Sequence, residues 1–326
     1  MNKVLFFLIV FVTSNMFSQV YKTSEPLVHT YSIVARDSMS GDMGVAVQSH
    51  WFSVGSVVTY GKAGVGVVAT QSLANPAYGP KGLTLMEQGL GVQQALDALL
   101  EIDSGEMYRQ VAFLNNKGEV ATHTGNLCIA EAGHRSGKNF SVQANMMLKN
   151  TVWDAMAKTF ESTQGSLAER MLAALQAAEN EKGDIRGKQS AAMLIVKGVS
   201  TGKAWQDTVL DLRVEDHQDP LGELGRLIKI HKAYDFMNKG DLAMEVGDSQ
   251  KAEELYLNAQ KLFPNNLEMQ YWYAINLLNN GNYDKAHPIL KQIFKEDKNW
   301  KELTKRLVPS KLLIIPDAEL RKVLEL

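Results

Sequence analysis

The chain has 326 residues, 45% of them apolar, and a formal charge of -2 from 34 basic and 36 acidic side chains. That length suits about two domains, and a balance so even, with no long run of one sign, excludes the electrostatic footprint of a nucleic-acid or anionic-membrane binder. Cys128 is the single cysteine, which excludes an internal disulfide and any cysteine cluster for zinc or iron–sulfur. Its expected role is that of a small buried residue.

Met1-Asn2-Lys3 is followed by nine apolar residues at 4–12 and a more polar tail at 13–19 that includes Ser14 and Ser18. A positive start, a short apolar run and small residues at its end read as a secretory signal, too short to span a bilayer. Cleavage is expected near Ser18 or Gln19. Residues 20–29 then form a leader, and the mature protein is expected to be exported, to the periplasm or beyond the cell, with no stable membrane span.

Residues 30–72 are rich in Val, Gly and small side chains. Strands are expected at 30–36, 43–48, 54–60 and 65–70, joined by the turns at 37–42 and 61–64. In the first strand Thr30, Ser32, Val34 and Arg36 share one face, and Tyr31, Ile33 and Ala35 the other. These strands carry apolar residues on both faces, as in a sheet covered on both sides. Asn75-Pro76-Ala77-Tyr78-Gly79-Pro80 breaks the pattern. Helical spacing then runs over 82–100, with Gly89 and Gly91 dividing it. A hairpin is expected with strands at 109–114 and 119–123 around Asn115-Asn116-Lys117-Gly118. Residues 125–144 read as loop-rich with some strand, 151–161 and 166–179 as helices, and 190–197 and 208–214 as strands. Strands, then helices, then strands, then helices again suit a layered α+β sandwich better than a doubly wound sheet.

Asp216-His217-Gln218-Asp219-Pro220 is a polar breaker and the expected domain boundary, dividing a domain at 30–215 from a helical one at 221–326. Within the helical part Gly247 recurs as Gly281 and Ala252 as Ala286, each 34 residues on. Gly240/Ala274, Tyr256/Leu290 and Ala259/Ile293 keep the same period, and Pro264 closes the first unit. Glycine at the inter-helix turn and alanine at the tight crossing resemble the tetratricopeptide repeat. Two units, 233–266 and 267–300, bury little alone, so flanking helices at 222–232 and 300–307 are expected to complete the stack. Such a stack points to a protein partner, and the simpler alternative is a packing extension of the first domain.

The first domain resembles a known family through many ordered blocks. They are Thr-Tyr-Ser-Ile-Val-Ala-Arg-Asp at 30–37, Gly-Val-Ala-Val-Gln-Ser-His at 44–50 and Ala-Gly-Val-Gly-Val-Val-Ala-Thr-Gln-Ser at 63–72. Asn-Pro-Ala-Tyr-Gly-Pro at 75–80, His-Thr-Gly at 123–125 and Ala-Gly-His at 132–134 follow. Phe-Ser-Val-Gln-Ala-Asn-Met at 140–146 and Gly-Asp-Ile-Arg-Gly-Lys-Gln-Ser-Ala-Ala at 183–192 complete the set. Together they resemble the DUF1028 family, placed in the Ntn-hydrolase superfamily. The resemblance implies a four-layer αββα sandwich and an N-terminal nucleophile exposed by processing. Peptidoglycan-binding modules at the C-termini of some members point to cell-wall material.

An N-terminal threonine supplies a hydroxyl nucleophile and, in its own α-amino group, a base with a pKa of about 8. With an oxyanion hole it suits hydrolysis of a small amide or peptide-like substrate. Thr30 is the candidate nucleophile and Ser32 the weaker one. Ser49, His50, Gln71, Ser72 and Asn75 at strand ends, and His123, His134 and Asn145 in or beside loops, are the candidate substrate contacts, with Gln143 behaving similarly. Lys62 is expected in solvent, and Asp184 with Arg186 as a structural pair. No metal spacing and no cofactor motif emerges, and a homo-oligomer stays open. Family members that begin Met-Thr expose the threonine by methionine removal. Here Leu27 and His29 are too large for a signal-peptidase junction, so exposure requires a cut at His29–Thr30 by the chain itself or by another protease. The rival expectation is a non-catalytic cell-envelope binding protein that docks a partner through its repeats.

Overall fold

The computed structural model describes residues 26–326. The expected signal, and the leader as far as residue 25, lie outside the described residues. Strand β1 (Leu27–Val28) is followed by β2 (Thr30–Arg36) and β3 (Met43–Ser49), a single helical turn α1 (Gly55–Val58), β4 (Thr59–Lys62) and β5 (Gly66–Leu73). Helices α2 (Tyr78–Glu87) and α3 (Val92–Glu101) lead to β6 (Arg109–Asn115), β7 (Val120–Thr124), β8 (Gly133–Gly137) and β9 (Phe140–Ala144). Helices α4 (Val152–Ser162) and α5 (Leu167–Asn180) and strands β10 (Ser190–Val196) and β11 (Thr208–Val214) complete this half.

The strands form two antiparallel sheets. One has the order β1-β5-β6-β7 with β4 also on β5, and the other the order β11-β10-β3-β2-β9-β8. Alternation explains the layers. Tyr31, Ile33, Ala46, Val142 and Met193 face outward under α4 and α5, while Val68, Val111 and Phe113 face α2 and α3. Val34, Val45, Val47, Val67, Ala69, Ala112 and Leu114 meet between the sheets. The result is the expected four-layer αββα sandwich.

Three local expectations are corrected. The valine-rich run at 54–60 is not one strand: α1 interrupts it and turns Val54 and Val58 into the inter-sheet layer, so burial overrides the β-propensity of the valines. Residues 125–144 hold a full hairpin, β8 and β9, rather than mostly loop. Helix α2 also begins at Tyr78 rather than 82, because Pro80 falls in the first turn, where no helical N–H bond is required.

Helix α2 lies so close to its sheet that a Cβ at Gly82 would come within 2.3 Å of the Phe113 ring. Gly82→Ala is therefore expected to overpack the layer and lower stability by about 1–3 kcal/mol, measured as a lower urea midpoint. An unchanged midpoint would mean that α2 can lift off the sheet freely.

The remaining elements are helices: α6 (Pro220–Glu245), α7 (Ser249–Leu262), α8 (Leu267–Asn279), α9 (Tyr283–Glu296), α10 (Asn299–Leu307) and α11 (Asp317–Glu325). Gly247 and Gly281 close the paired turns with φ of 79° and 74°, a conformation that favours glycine. Ala252, Ala259, Ala274 and Ala286 are wholly buried at the crossings. Helix α6 starts on Pro220, whose missing N–H costs nothing there. It runs unbroken where a flanking helix and a first repeat helix are expected. Leu221, Leu224 and Ile228 pack on the sandwich, and Ala233 and Met237 pack in the helical core. Among the described residues no helix is long and apolar enough to cross a membrane.

Candidate active site

At one end of the inter-sheet layer the inward-facing residues change from apolar to polar. Val34 gives way to Ser32 and Thr30 along β2, Val47 to Ser49 along β3, Ala69 to Gln71 along β5, and Ala112 to Gln110 along β6. Gln143 on β9, and Asn145 just after it, complete the group, and all of these polar side chains are fully buried. Burying so many polar groups is tolerable only when they satisfy one another. Ser32 Oγ donates to Gln71 Oε1 at 2.6 Å and accepts from Gln143 Nε2 at 2.6 Å. Gln71 Nε2 and Asn145 Nδ2 both donate to Gln110 Oε1, at 2.7 and 2.9 Å.

The chain enters this site through its leader. β1 pairs in the first sheet and β2 in the second, so His29 is the residue at which the chain crosses between sheets. The His29 carbonyl, which belongs to the peptide bond ahead of Thr30, accepts from Ser49 Oγ at 2.5 Å and from Arg186 Nη2 at 2.8 Å. Arg186 is held there by Asp184, whose side chain is fully buried, at 2.6 Å. The His29 ring pairs through Nδ1 with Asn145 Oδ1 at 2.8 Å, and its Nε2 is buried with no hydrogen-bond partner. Burial lowers the imidazole pKa, and the Arg186 charge adds to this against the opposing hydrogen bond that the ring donates to Asn145. Thr30 is wholly buried, and its hydroxyl donates to the Gln48 carbonyl.

Thr30, Ser32, Ser49, Gln71 and Asn145 therefore come together. The other candidates lie at the margin of this group or apart from it. His134 is at the outer margin, where Nδ1 pairs with Thr124 Oγ1 at 2.9 Å, and Thr124 Oγ1 accepts from Gln110 Nε2 at 3.0 Å. Burial and the neighbouring His123 lower its pKa. His123 itself turns to the Glu106 carbonyl at 2.9 Å. His50 meets the site through its backbone, its N–H lying 3.4 Å from Asp184 Oδ2, while the residue lines a surface cavity with Lys188 and His217. Ser72 pairs with Val28 and has a φ of 75°, unusual for a residue other than glycine. The Cys128 thiol lies 3.4 Å from the Arg109 carbonyl, and burial pushes its pKa up, which suits packing rather than attack. Lys62 pairs with Glu87 at 2.6 Å in solvent.

Asn75 stands apart from this group. It lies at the start of α2, where its Oδ1 accepts from the Ala77 N–H at 3.1 Å and its Nδ2 lies 3.4 Å from Asp103. Asp103 instead belongs to an ion pair with the fully buried Arg109, at 2.8 Å. Burial works to raise the Asp103 pKa, but hydrogen bonds from Arg109 and the Gly105 N–H outweigh it and hold it at about 2, below its ordinary 3.8. A depressed folded-state pKa contributes stability that is complete above the unfolded value and is lost as pH falls through the folded one. Asp103→Asn is thus expected to unfold at lower urea than wild type at about pH 5, with the gap closing towards about pH 2. A gap that stays constant over that range would place the interaction elsewhere.

Gln110 and Arg186 are the residues that sequence reasoning missed. Gln110 had a signal, since it is the polar member of the inward set Gln110, Ala112 and Leu114. Arg186 does pair with Asp184 as expected, but its second donation, to His29, depends on the fold.

Residues 30–224 match the family described as "Family of unknown function (DUF1028)". The chain belongs to the DUF1028 family. Beyond the DUF1028 region, residues 243–307 match a tetratricopeptide repeat. Protein SPO2555 from Silicibacter pomeroyi, a solved DUF1028 structure, is similar at 30% identity with a TM-score of 0.56, covering 62% of this chain and 88% of its own. Anbu (ancestral beta-subunit) from Yersinia bercovieri also matches, at 10% identity with a TM-score of 0.31, over 60% of this chain and 91% of its own. That second likeness is too slight to carry an argument. No curated protein matches the chain.

Proposed function

We propose that this DUF1028 protein is an exported amidohydrolase of the N-terminal-nucleophile type, with Thr30 as nucleophile once the His29–Thr30 bond is cut. The observation that carries this reading is the grip on the His29 carbonyl. A neutral hydroxyl from Ser49 and a guanidinium from Arg186 converge on one carbonyl oxygen, at 2.5 and 2.8 Å, next to a residue that has its own hydroxyl. Two donors aimed at a carbonyl stabilise the negative oxygen that forms when the carbon is attacked.

The self-cleavage balances with the chain's own atoms and one water. Thr30 Oγ1 leaves the Gln48 carbonyl and bonds to the His29 carbonyl carbon. The C–N bond then breaks, and the hydroxyl proton passes to the departing Thr30 nitrogen, leaving an ester. Water cleaves the ester, which frees the His29 carboxylate and the Thr30 hydroxyl. The new α-amine serves as base for attack on an amide substrate. Tested on a panel of small amides and peptides, including cell-wall fragments, the purified protein is expected to hydrolyse at least one class, and Thr30→Ala to hydrolyse none. Equal hydrolysis by Thr30→Ala removes Thr30 from the chemistry.

A second reading is favoured by the complete burial of Thr30 under the uncut leader. Left uncut, the chain is a non-catalytic cell-envelope binding protein. A cavity of about 380 Å³ in the repeat region, whose lining includes Asp241, Tyr256, Trp272 and Asn276, supports a partner there. This reading expects Thr30→Ala and wild type to have the same mass difference from their genes and no hydrolysis in either.

A further inference from the structure

The leader is seated in the fold. Leu27 and Val28 pair with Leu73 and Ser72 of β5, and the Ala74 N–H donates to the Pro26 carbonyl at 2.9 Å. Val28 is wholly buried in the inter-sheet layer, and His29 is 2% exposed. β4 pairs with β5 only as far as Ala69, so β1 occupies the edge of β5 that β4 leaves open. Removing the leader would therefore uncover a short sheet edge that ends at the Ser49 and Arg186 donors.

We infer that this slot is the acyl side of the substrate groove, and that the substrate is an extended peptidyl chain that adds as a short strand to the edge of β5. The inference rests on Thr30 being the nucleophile. The ester left on Thr30 when the leader is transferred is the same species as an acyl-enzyme whose acyl group is the leader. One carbonyl cradle and one acyl slot thus serve both reactions. In turnover the substrate's C–N bond breaks, its amine leaves with the hydroxyl proton, and water releases the carboxylate and restores Thr30.

Main-chain pairing along a sheet edge accepts any extended peptide, and side-chain pockets select among them. The residue carrying the scissile carbonyl meets Asn145 Oδ1, which His29 Nδ1 reaches at 2.8 Å, so a side chain with an N–H or O–H fits. The residue before it takes the place of Val28 and fits as a small branched aliphatic. Beyond the slot lies an apolar rim. Leu127, Ile129, Leu148 and Ile185 are 48%, 43%, 50% and 58% exposed. Their loops are tied to one another and to the site, Met146 N–H to the Ile129 carbonyl at 2.9 Å, Ile185 N–H to the Met146 carbonyl at 3.1 Å, and Asn145 N–H to the Thr30 carbonyl at 3.1 Å. The rim suits a substrate with apolar residues flanking the strand.

The test uses full-length protein whose N-terminus has been established by intact mass. Three coumarin amides are compared: Pro-Leu-Val-His, the same peptide with D-valine, and acetyl. Protein beginning at Thr30 is expected to cleave the all-L peptide with kcat/KM roughly 100-fold above the other two, because binding along the slot is used to position the carbonyl. Equal rates on all three, or cleavage of the acetyl amide alone, overturn the inference and leave Thr30 as nucleophile intact. Thr30-started protein that cleaves none of the three also overturns it. A chain that never begins at Thr30 removes both the inference and the reading beneath it.

Discussion

Ser49→Ala is expected to slow cutting at the His29–Thr30 bond by about 10²–10³-fold, the usual cost of deleting one donor from a site that stabilises a developing oxyanion. Its Oγ donates to the His29 carbonyl at 2.5 Å. The change removes that donor with little disturbance of packing, and it leaves the Asp184–Arg186 pair whole. Arg186→Gln should slow the cut as well, but it also deprives the fully buried Asp184 carboxylate of its cation, so slower cutting there is mixed with lost stability. Ser49→Ala is for that reason the sharper test. The quantity to follow is the time course of the Thr30-started species by mass spectrometry. A half-time equal to that of wild type would mean that the short contact is incidental to cleavage.

Arg109→Met is expected to cost about 3–5 kcal/mol, the range seen when one partner of a buried ion pair is removed. The guanidinium is fully buried and pairs with an Asp103 side chain that is 9% exposed. It also donates to the Leu73 carbonyl at 2.7 Å, at the end of β5 that pairs with the leader. Methionine fills most of the volume but strands both the carboxylate and the carbonyl. Adding Asp103→Leu should return part of the loss, because the orphaned charge is then gone. The sandwich transition in urea reports both variants, and a cost under about 1 kcal/mol for Arg109→Met would show that water reaches the pair.

Much of this fold is written in local pattern. The alternation along β2 separates Tyr31, Ile33 and Ala35 from Thr30, Ser32 and Val34, and the structure buries the two sets in different layers. The 34-residue period is legible because each turn requires a left-handed residue and each crossing a small one, and Gly247, Gly281, Ala252 and Ala286 meet those needs. What pattern does not reveal is competition between distant segments. Residues 54–60 have the composition of a strand, yet α1 takes Gly55–Val58, burying Val54 and Val58 between the sheets and lying so close to β10 that a Cβ at Gly55 would be 2.4 Å from the Ala192 side chain. Asn75 follows Gln71 and Ser72 closely in sequence, but the end of β5 and the start of α2 carry it to Asp103. The leader is the largest gap between the two views. Pro26–His29 reads as a passage to be discarded, and only the pairing of Leu27 and Val28 with β5 reveals that it covers the candidate nucleophile.

The proposed activity therefore depends on one peptide bond. The most direct measurement is the intact mass and N-terminal sequence of the purified protein, alongside Thr30→Ala. Wild type is expected to begin at Thr30, and the variant to retain the residues ahead of position 30. A wild-type chain that begins ahead of Thr30 and stays so on prolonged incubation would contradict self-cleavage at His29–Thr30 and the nucleophilic role of Thr30.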